Sequence, residues 1–183
     1  MMKTKALALS VIAGAAALLS AQSFAQDTLF KADFGGDKPL EGWSQSAFTS
    51  VVNEGPDGGA CVKFSIPKPE EGSPFAKSAM ISRKLSGDDL KGKKIVVEAK
   101  LKAENLLEAE KPYLGPKVML YFVSGDKKSW LDQKKQSGTY GWTPVSFTAD
   151  VPQDAKDFSI TIGIQSSAGT LWIDDLVIKE AAK

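Results

Sequence analysis

The sequence contains no histidine and a single cysteine, Cys61. The absence of histidine excludes Ser-His and Cys-His catalytic dyads and removes the commonest general base and metal ligand. One cysteine cannot form a disulfide within the chain, and its flanking run Val62-Lys63-Phe64 indicates a strand with a buried, unreactive thiol. The fold must therefore gain its stability from an apolar core.

The acidic residues also lack a catalytic arrangement. Glycosidases need two carboxyl groups on either side of the scissile bond, and the glutamates between residues 98 and 110 lie in no such signature. Asp174 and Asp175 are neighbours on a predicted strand, so their side chains are expected to point to opposite faces. The sequence therefore predicts a protein that is not an enzyme.

The N-terminus has the pattern of a secretory signal peptide. Lys3 and Lys5 precede an apolar run, and small residues at 23 and 25 suit a signal peptidase. The run is about 14 residues long, shorter than the roughly 20 that a membrane-spanning helix needs. We expect a signal peptide at residues 1–25, no membrane span, and a periplasmic or secreted product.

The remaining residues, 26–183, have little net charge. Removal of Lys3 and Lys5 would leave 21 basic and 22 acidic residues, which does not favour nucleic acid as a partner. Residues 26–183 number 158, a length that suits one domain with a sizeable core, and we expect this domain to be a monomer.

Apolar and polar residues alternate along most of the chain, as in half-buried strands. The clearest strands are predicted at 94–102, 117–123, 144–151, 158–165 and 170–178, with weaker ones at 28–34, 43–52, 60–66 and 76–85. Clusters of Gly, Pro, Asp and Ser separate them, and one short stretch, 103–110, has a helical pattern. About nine strands at this spacing predict an all-β fold, a two-sheet antiparallel β-sandwich.

Several segments, in order, resemble one family. They are Leu29-Phe30-Lys31-Ala32-Asp33-Phe34 with Gly42-Trp43, the segment 111–115, the stretch 138–147 with Tyr140-Gly141-Trp142, and 163–176 ending in Asp174-Asp175-Leu176. This pattern resembles the galactose-binding-like jelly roll of carbohydrate-binding modules appended to xylanases and cellulases. The resemblance implies non-catalytic binding of a poly- or oligosaccharide on a concave sheet face. Such modules are usually attached to a catalytic domain, so we expect this chain either to act alone or to have a separate glycoside hydrolase as a partner. The segments 67–75 and 103–114 depart from the pattern.

The same resemblance implies a structural Ca²⁺ between the first and last strands. Asp33 and Asp174 occupy the matching positions, with Asp37 and Asp175 nearby. Ca²⁺ takes six to eight oxygen ligands, so carboxylates from both strands would tie the chain's ends together. The alternative is that Asp174 caps a turn or pairs with a lysine, while Asp33 is solvated.

The predicted strand 158–165 has a polar side formed by Ser159, Thr161, Gly163 and Gln165. Small residues, an amide and nearby side chains of the strand 117–123 would suit a shallow sugar groove. The alternative is an ordinary solvated sheet face, which alternation always provides.

Two aromatic residues lie in segments with little apolar cover, and an exposed aromatic ring can stack on a sugar. The predicted ligand-binding residues are Trp130, Tyr113, Gln133, Gln165, Tyr121 and Lys117. The alternative function is a structural or protein-interaction sandwich of the cell envelope, in which loops or a partner chain cover the 159–165 face.

Overall fold

The computed structural model describes residues 27–71, 73 and 77–182. The predicted signal peptide lies outside this part of the chain. All regular structure in the described residues is β-strand, so the predicted all-β class is confirmed. Within the same residues, no helix has the length and apolar character that a membrane crossing requires.

Ten strands are found in the described residues. They are β1 (Thr28–Ala32), β2 (Thr49–Val52), β3 (Cys61–Ile66), β4 (Ala79–Lys84), β5 (Lys94–Leu106), β6 (Gly115–Ser124), β7 (Lys127–Asp132), β8 (Gly138–Asp150), β9 (Lys156–Gln165) and β10 (Gly169–Glu180). Each predicted strand overlaps one of these. The additional strand, β7, forms a hairpin with β6 in the charged segment that follows Gly125.

The short helix predicted at 103–110 was wrong. Ala103 to Leu106 continue β5, and the side chains of Ala103 and Leu106 are buried in the core. Ala103 pairs with Leu171 of β10 and with Tyr140 of β8. Pairing on both sides of β5 outweighs the weak helical preference of so short a stretch.

The strands form two antiparallel sheets packed face to face. The six-stranded sheet has the order β2-β3-β10-β5-β8, with β1 also paired to β10, and the four-stranded sheet has the order β4-β9-β6-β7. Alternation places residues such as Val97 and Ile162 between the sheets with no exposed surface. Burying each such side chain stabilises the fold by about 1.5–3 kcal/mol.

Cys61 is fully buried in β3, as the sequence predicts. Burial raises the pKa of its thiol above the ordinary value, because a thiolate is poorly solvated there. The thiolate is the nucleophilic form, so the thiol is unreactive.

A β-bulge in β10 sets the position of the acidic pair. Leu171 and Ile173 face the core before the bulge, and Leu176 and Ile178 face it afterwards. The extra residue, Asp175, has φ +51° and interrupts the pairing with β5 between Asp174 and Val177. Without the bulge, strict alternation would turn Leu176 and Ile178 to solvent.

Candidate functional site

The outer face of the four-stranded sheet brings several of the predicted ligand-binding residues together. Strand register arranges its side chains in three rows across β4, β9, β6 and β7. The rows are Lys84-Ser159-Tyr121-Trp130, Ser82-Thr161-Met119-Asp132, and Met80-Gly163-Lys117. We call this surface the polar face.

The first row contains an aromatic pair. Tyr121 and Trp130 lie directly opposite each other on β6 and β7, with ring centroids 5.6 Å apart and ring planes inclined by 46°. Trp130 is 57% exposed. Ser159 is half-buried and Lys84 is exposed at the other end of the row. This end of the polar face therefore offers a ring surface beside polar groups.

In the third row, Gly163 and Lys117 are buried. Gly163 has φ +132°, and a Cβ on it would lie 2.0 Å from the carbonyl oxygen of Ala79 on β4. The Lys117 side chain is only 4% exposed, and its ammonium group donates to the carbonyl oxygen of Tyr113 and to Asp132. In the second row, Thr161 is buried and its hydroxyl bonds that of Ser82 at 2.7 Å. The polar face is thus exposed at the Trp130 end, whereas Thr161 and Lys117, farther along it, are buried.

Tyr113 and Gln165 lie toward the Lys117 end. Tyr113 is exposed, and its backbone covers the Lys117 ammonium. Gln165 is half-buried and faces Gly115, the first residue of β6. Tyr121 is six positions after Gly115 along β6, which corresponds to about 20 Å. Exposed aromatic residues therefore lie near both ends of the polar face.

Gln133 contacts the backbone of β6. Its side-chain oxygen accepts from the Val118 N–H at 2.8 Å, and its side-chain nitrogen donates to the Pro116 carbonyl at 3.0 Å. The residue is buried. Both ends of the amide are therefore occupied, which favours a structural role in extending the β6–β7 pairing.

Asp132 and Lys135, which sequence reasoning missed, form a charged cluster with Lys117. The Asp132 carboxylate accepts from Lys117 at 2.9 Å and also from Lys135. Burial of Lys135 lowers the pKa of its ammonium group to about 8, although Asp132 acts in the opposite direction. In the sequence, Asp132 and Lys135 lie in the strongly charged segment 126–135, and nothing in that segment distinguishes them from solvated residues. We call these three residues the lysine cluster.

A depression of about 410 Å³ adjoins the lysine cluster at the edge of β7. Its lining comes from the segment that follows β7 and from the neighbouring β8 of the other sheet. The lining residues are Gln133, Lys134, Lys135, Gln136, Thr143, Pro144, Val145 and Ser146. Two lysines and no acidic residue line it, so it is suited to an anionic group.

Asp33 and Asp174 lie near the bulge of β10, close enough for their charges to interact. Here β3, which pairs with the first half of β10, gives way to β1, which Asp33 follows. Asp174 is 6% exposed, and burial together with the charges of Asp175 and Asp33 raises its pKa to about 6. Lys100 lies opposite Asp174 but binds Asp175 at 2.9 Å.

These two carboxylates suit a cation in part. The Asp174 carboxylate accepts the Asp175 N–H at 2.8 Å, and the Asp33 carboxylate accepts that of Gly35 at 3.3 Å while pairing with Lys31. No group of three acidic or cysteine side chains converges anywhere in the described ranges. Backbone carbonyls or water would therefore have to supply most ligands of a Ca²⁺ ion.

The outer face of the six-stranded sheet also carries a tryptophan, Trp172. The ring is only 3% exposed because the ammonium groups of Lys63 and Lys102, on the strands to either side, lie 4.7 and 4.6 Å from its centroid. Its indole N–H is buried without a hydrogen-bond partner among the described residues. Trp43, by contrast, packs in the core against Phe34.

The architecture is that of the jelly-roll carbohydrate-binding modules. It resembles the CBM22–GH10 modules of Clostridium thermocellum xylanase 10B, described as complexed with xylohexaose, with a TM-score of 0.59 and 15% identity. The alignment covers 85% of this chain and 29% of that one. A xylan-binding domain from CBM22 matches with a TM-score of 0.59 and 14% identity, over 87% and 98% of the two chains.

The CBM22-1 xylan-binding domain of Paenibacillus barcinonensis Xyn10C gives a TM-score of 0.57 and 15% identity, covering 86% of this chain and 97% of that domain. No protein-family model matches the sequence. No curated protein matches it either. At these identities the likeness to solved structures establishes the fold.

Proposed function

We propose that this protein is an exported, non-catalytic carbohydrate-binding module that holds a poly- or oligosaccharide on the polar face. The observation that carries the proposal is the exposed Trp130 ring beside Tyr121, in a row that continues with Ser159 and Lys84. The shared fold with xylan-binding domains supports it. Export is supported by the signal-peptide pattern of residues 1–25.

The chemistry of the Trp130 end suits a sugar. An exposed indole offers a flat apolar surface to the C–H face of a pyranose, and the hydroxyl of Ser159 and the ammonium group of Lys84, in the same row, can bond its hydroxyls. The surface is open, so it buries little of a ligand. We therefore expect affinities in the micromolar to millimolar range.

A non-catalytic role is supported by the distribution of acids. The three rows of the polar face contain one carboxylate, Asp132, and two ammonium groups already bind it. Hydrolysis of a glycoside needs a pair of carboxyl groups around the bond. A module of this kind would deliver a separate glycoside hydrolase to its polysaccharide.

A panel of soluble neutral and acidic oligosaccharides, xylohexaose among them, tests the proposal. Titration calorimetry and tryptophan fluorescence are followed for the wild type and for Trp130→Ala. We expect binding by the wild type and at least a tenfold weaker affinity in the variant. If no glycan binds, the proposal fails, and the Lys117 end covered by Tyr113 would favour the envelope protein-interaction role instead.

The proposal includes a structural role for Ca²⁺ at Asp33 and Asp174. A bound divalent cation would neutralise the two carboxylates and link the end of β1 to β10. It would stabilise the fold and take no part in binding the sugar.

A further inference from the structure

The lysine cluster has more positive than negative charge. Two ammonium groups, those of Lys117 and Lys135, share the single carboxylate of Asp132. The side chains are largely buried, with exposures of 4%, 19% and 24% for Lys117, Lys135 and Asp132. A partly buried excess cation is costly unless it is paired with an anion. The cluster is therefore one negative charge short of balance.

Lys135 is the member that a ligand can reach. Its ammonium group has three N–H donors, and Asp132 is the acceptor that it contacts within the described residues. Lys135 also lines the depression between β7 and β8, together with Lys134. The β8 wall of this depression, Thr143 to Ser146, is uncharged. The Thr143 hydroxyl donates to the Gly141 carbonyl at 2.9 Å, and Ser146 supplies a second hydroxyl. No acidic side chain there competes for the free donors.

The depression is close to the aromatic pair. Asp132 and Trp130 are two residues apart on the same side of β7, a spacing of about 7 Å. A sugar chain that stacks on Trp130 could therefore extend an anionic substituent over the edge of β7 to Lys135. Lys128, two residues before Trp130 and on the same side of β7, adds positive charge beside the ring.

We infer that the site prefers acidic glycans: the carboxylate of a uronic acid unit pairs with Lys135 in the depression while a neighbouring sugar stacks on Trp130. The inference rests on the proposed function and specifies its substrate class. A carboxylate ligand would complete the charge balance of the lysine cluster, and a neutral sugar would leave Lys135 as it is. Charge-assisted hydrogen bonds of this kind are about twice as strong as neutral ones.

The test compares acidic oligosaccharides with their methyl esters, which differ in charge but not in the sugar ring. The probes are glucuronic acid-substituted xylo-oligosaccharides and oligogalacturonates, measured by calorimetry at pH 7 in low and high salt. The two series distinguish a side-chain uronate from a backbone one. We expect the wild type to bind one of the acidic series at least fivefold tighter than its ester, with the difference reduced by salt.

Variants assign that preference to Lys135. Lys135→Gln should remove it, and Lys135→Arg, which keeps the charge, should retain most of it. Lys94→Gln, at an exposed position on the six-stranded sheet, is the matched control and should behave as the wild type. Circular dichroism and melting curves check that each variant is folded.

The outcomes separate this inference from the proposed function. Equal binding of acid and ester by the wild type would overturn the acidic preference but leave glycan binding intact. A preference that survives in Lys135→Gln would overturn the role of the depression. If no probe and no neutral oligosaccharide binds, glycan binding itself is wrong.

Discussion

The outer face of each sheet carries a tryptophan, but the ring is covered on one sheet and exposed on the other. On the six-stranded sheet, Trp172 lies beneath Lys63 and Lys102. On the four-stranded sheet, Trp130 stands beside Tyr121 with more than half of its surface exposed. The difference is decided by the neighbours on adjacent strands, because lysines on both sides of a ring can cover it with their alkyl stems.

The pairing of charged side chains also differs between the two sheets. The six-stranded sheet contains ion pairs of one cation with one anion, as between Lys100 and Asp175 at 2.9 Å and between Lys179 and Glu98 at 2.6 Å. The lysine cluster of the four-stranded sheet has two cations for one anion. A covered ring is typical of a structural surface, whereas an exposed ring beside a cluster with excess positive charge is what a binding surface for an anionic ligand would need.

The largest effect is expected from Gly163→Ala. The new Cβ would overlap the Ala79 carbonyl, and the backbone conformation at φ +132° strains any L-residue. We expect a loss of about 3 kcal/mol or more in unfolding free energy, measured by chemical denaturation. Gly141→Ala in β8 has nothing within 4 Å of the new Cβ and should change stability by about 0.5 kcal/mol at most. Similar losses in both variants would contradict the close approach of β4 and β9.

The next prediction compares the effects of removing each of the two tryptophan rings. Trp172→Ala should cost about 2–3 kcal/mol of stability, because the buried ring supports its strand neighbours, and should change glycan affinity less than twofold. Trp130→Ala should reduce the affinity at least tenfold and cost less than about 1 kcal/mol. Calorimetry and denaturation of both variants measure the four quantities. Equal effects of the two substitutions on affinity would break the comparison of the faces.

A smaller effect is expected from pH. Burial lowers the pKa of Lys135 to about 8, so the ammonium form present at pH 7 is lost as the pH rises through 8. The charged groups facing Lys135 are Asp132, Lys117 and Lys134, and the β8 wall has none. Affinity for an acidic oligosaccharide should fall several-fold between pH 7 and 9.5 in calorimetry. Lys135→Arg, which stays charged, should give a flat profile, and a decline identical to that of the wild type would exclude Lys135 as the titrating group.

The smallest effect concerns Ca²⁺. Millimolar Ca²⁺ should raise the melting temperature of the wild type by about 2–4 °C, because a cation bound to the native state stabilises it. Asp174→Asn should lose this response. Asp126→Asn, in the exposed turn of the β6–β7 hairpin, should keep it. If the melting temperature of the wild type is the same with and without Ca²⁺, the metal site is excluded.

Alternation alone predicted most of the strands, because apolar residues at every second position need a core on one side only. It failed at 103–110, where pairing of β5 with both neighbours extended a strand through a locally helical pattern. It also failed to show that Gln133 would bind the backbone of β6, or that Asp132 would receive two lysines. These contacts depend on which segments the hairpin brings together.

The sequence by itself determined an all-β sandwich with a buried Cys61 and with Trp130 in a segment too charged to bury it, since hydrophobic period and composition act locally. The tertiary structure decided which tryptophan is covered and which lysines share a carboxylate. The physical reason is that strand register, unlike alternation, joins residues distant in the chain. Tyr121 meets Ser159, and Lys63 meets Trp172, only because the strands pair in this order.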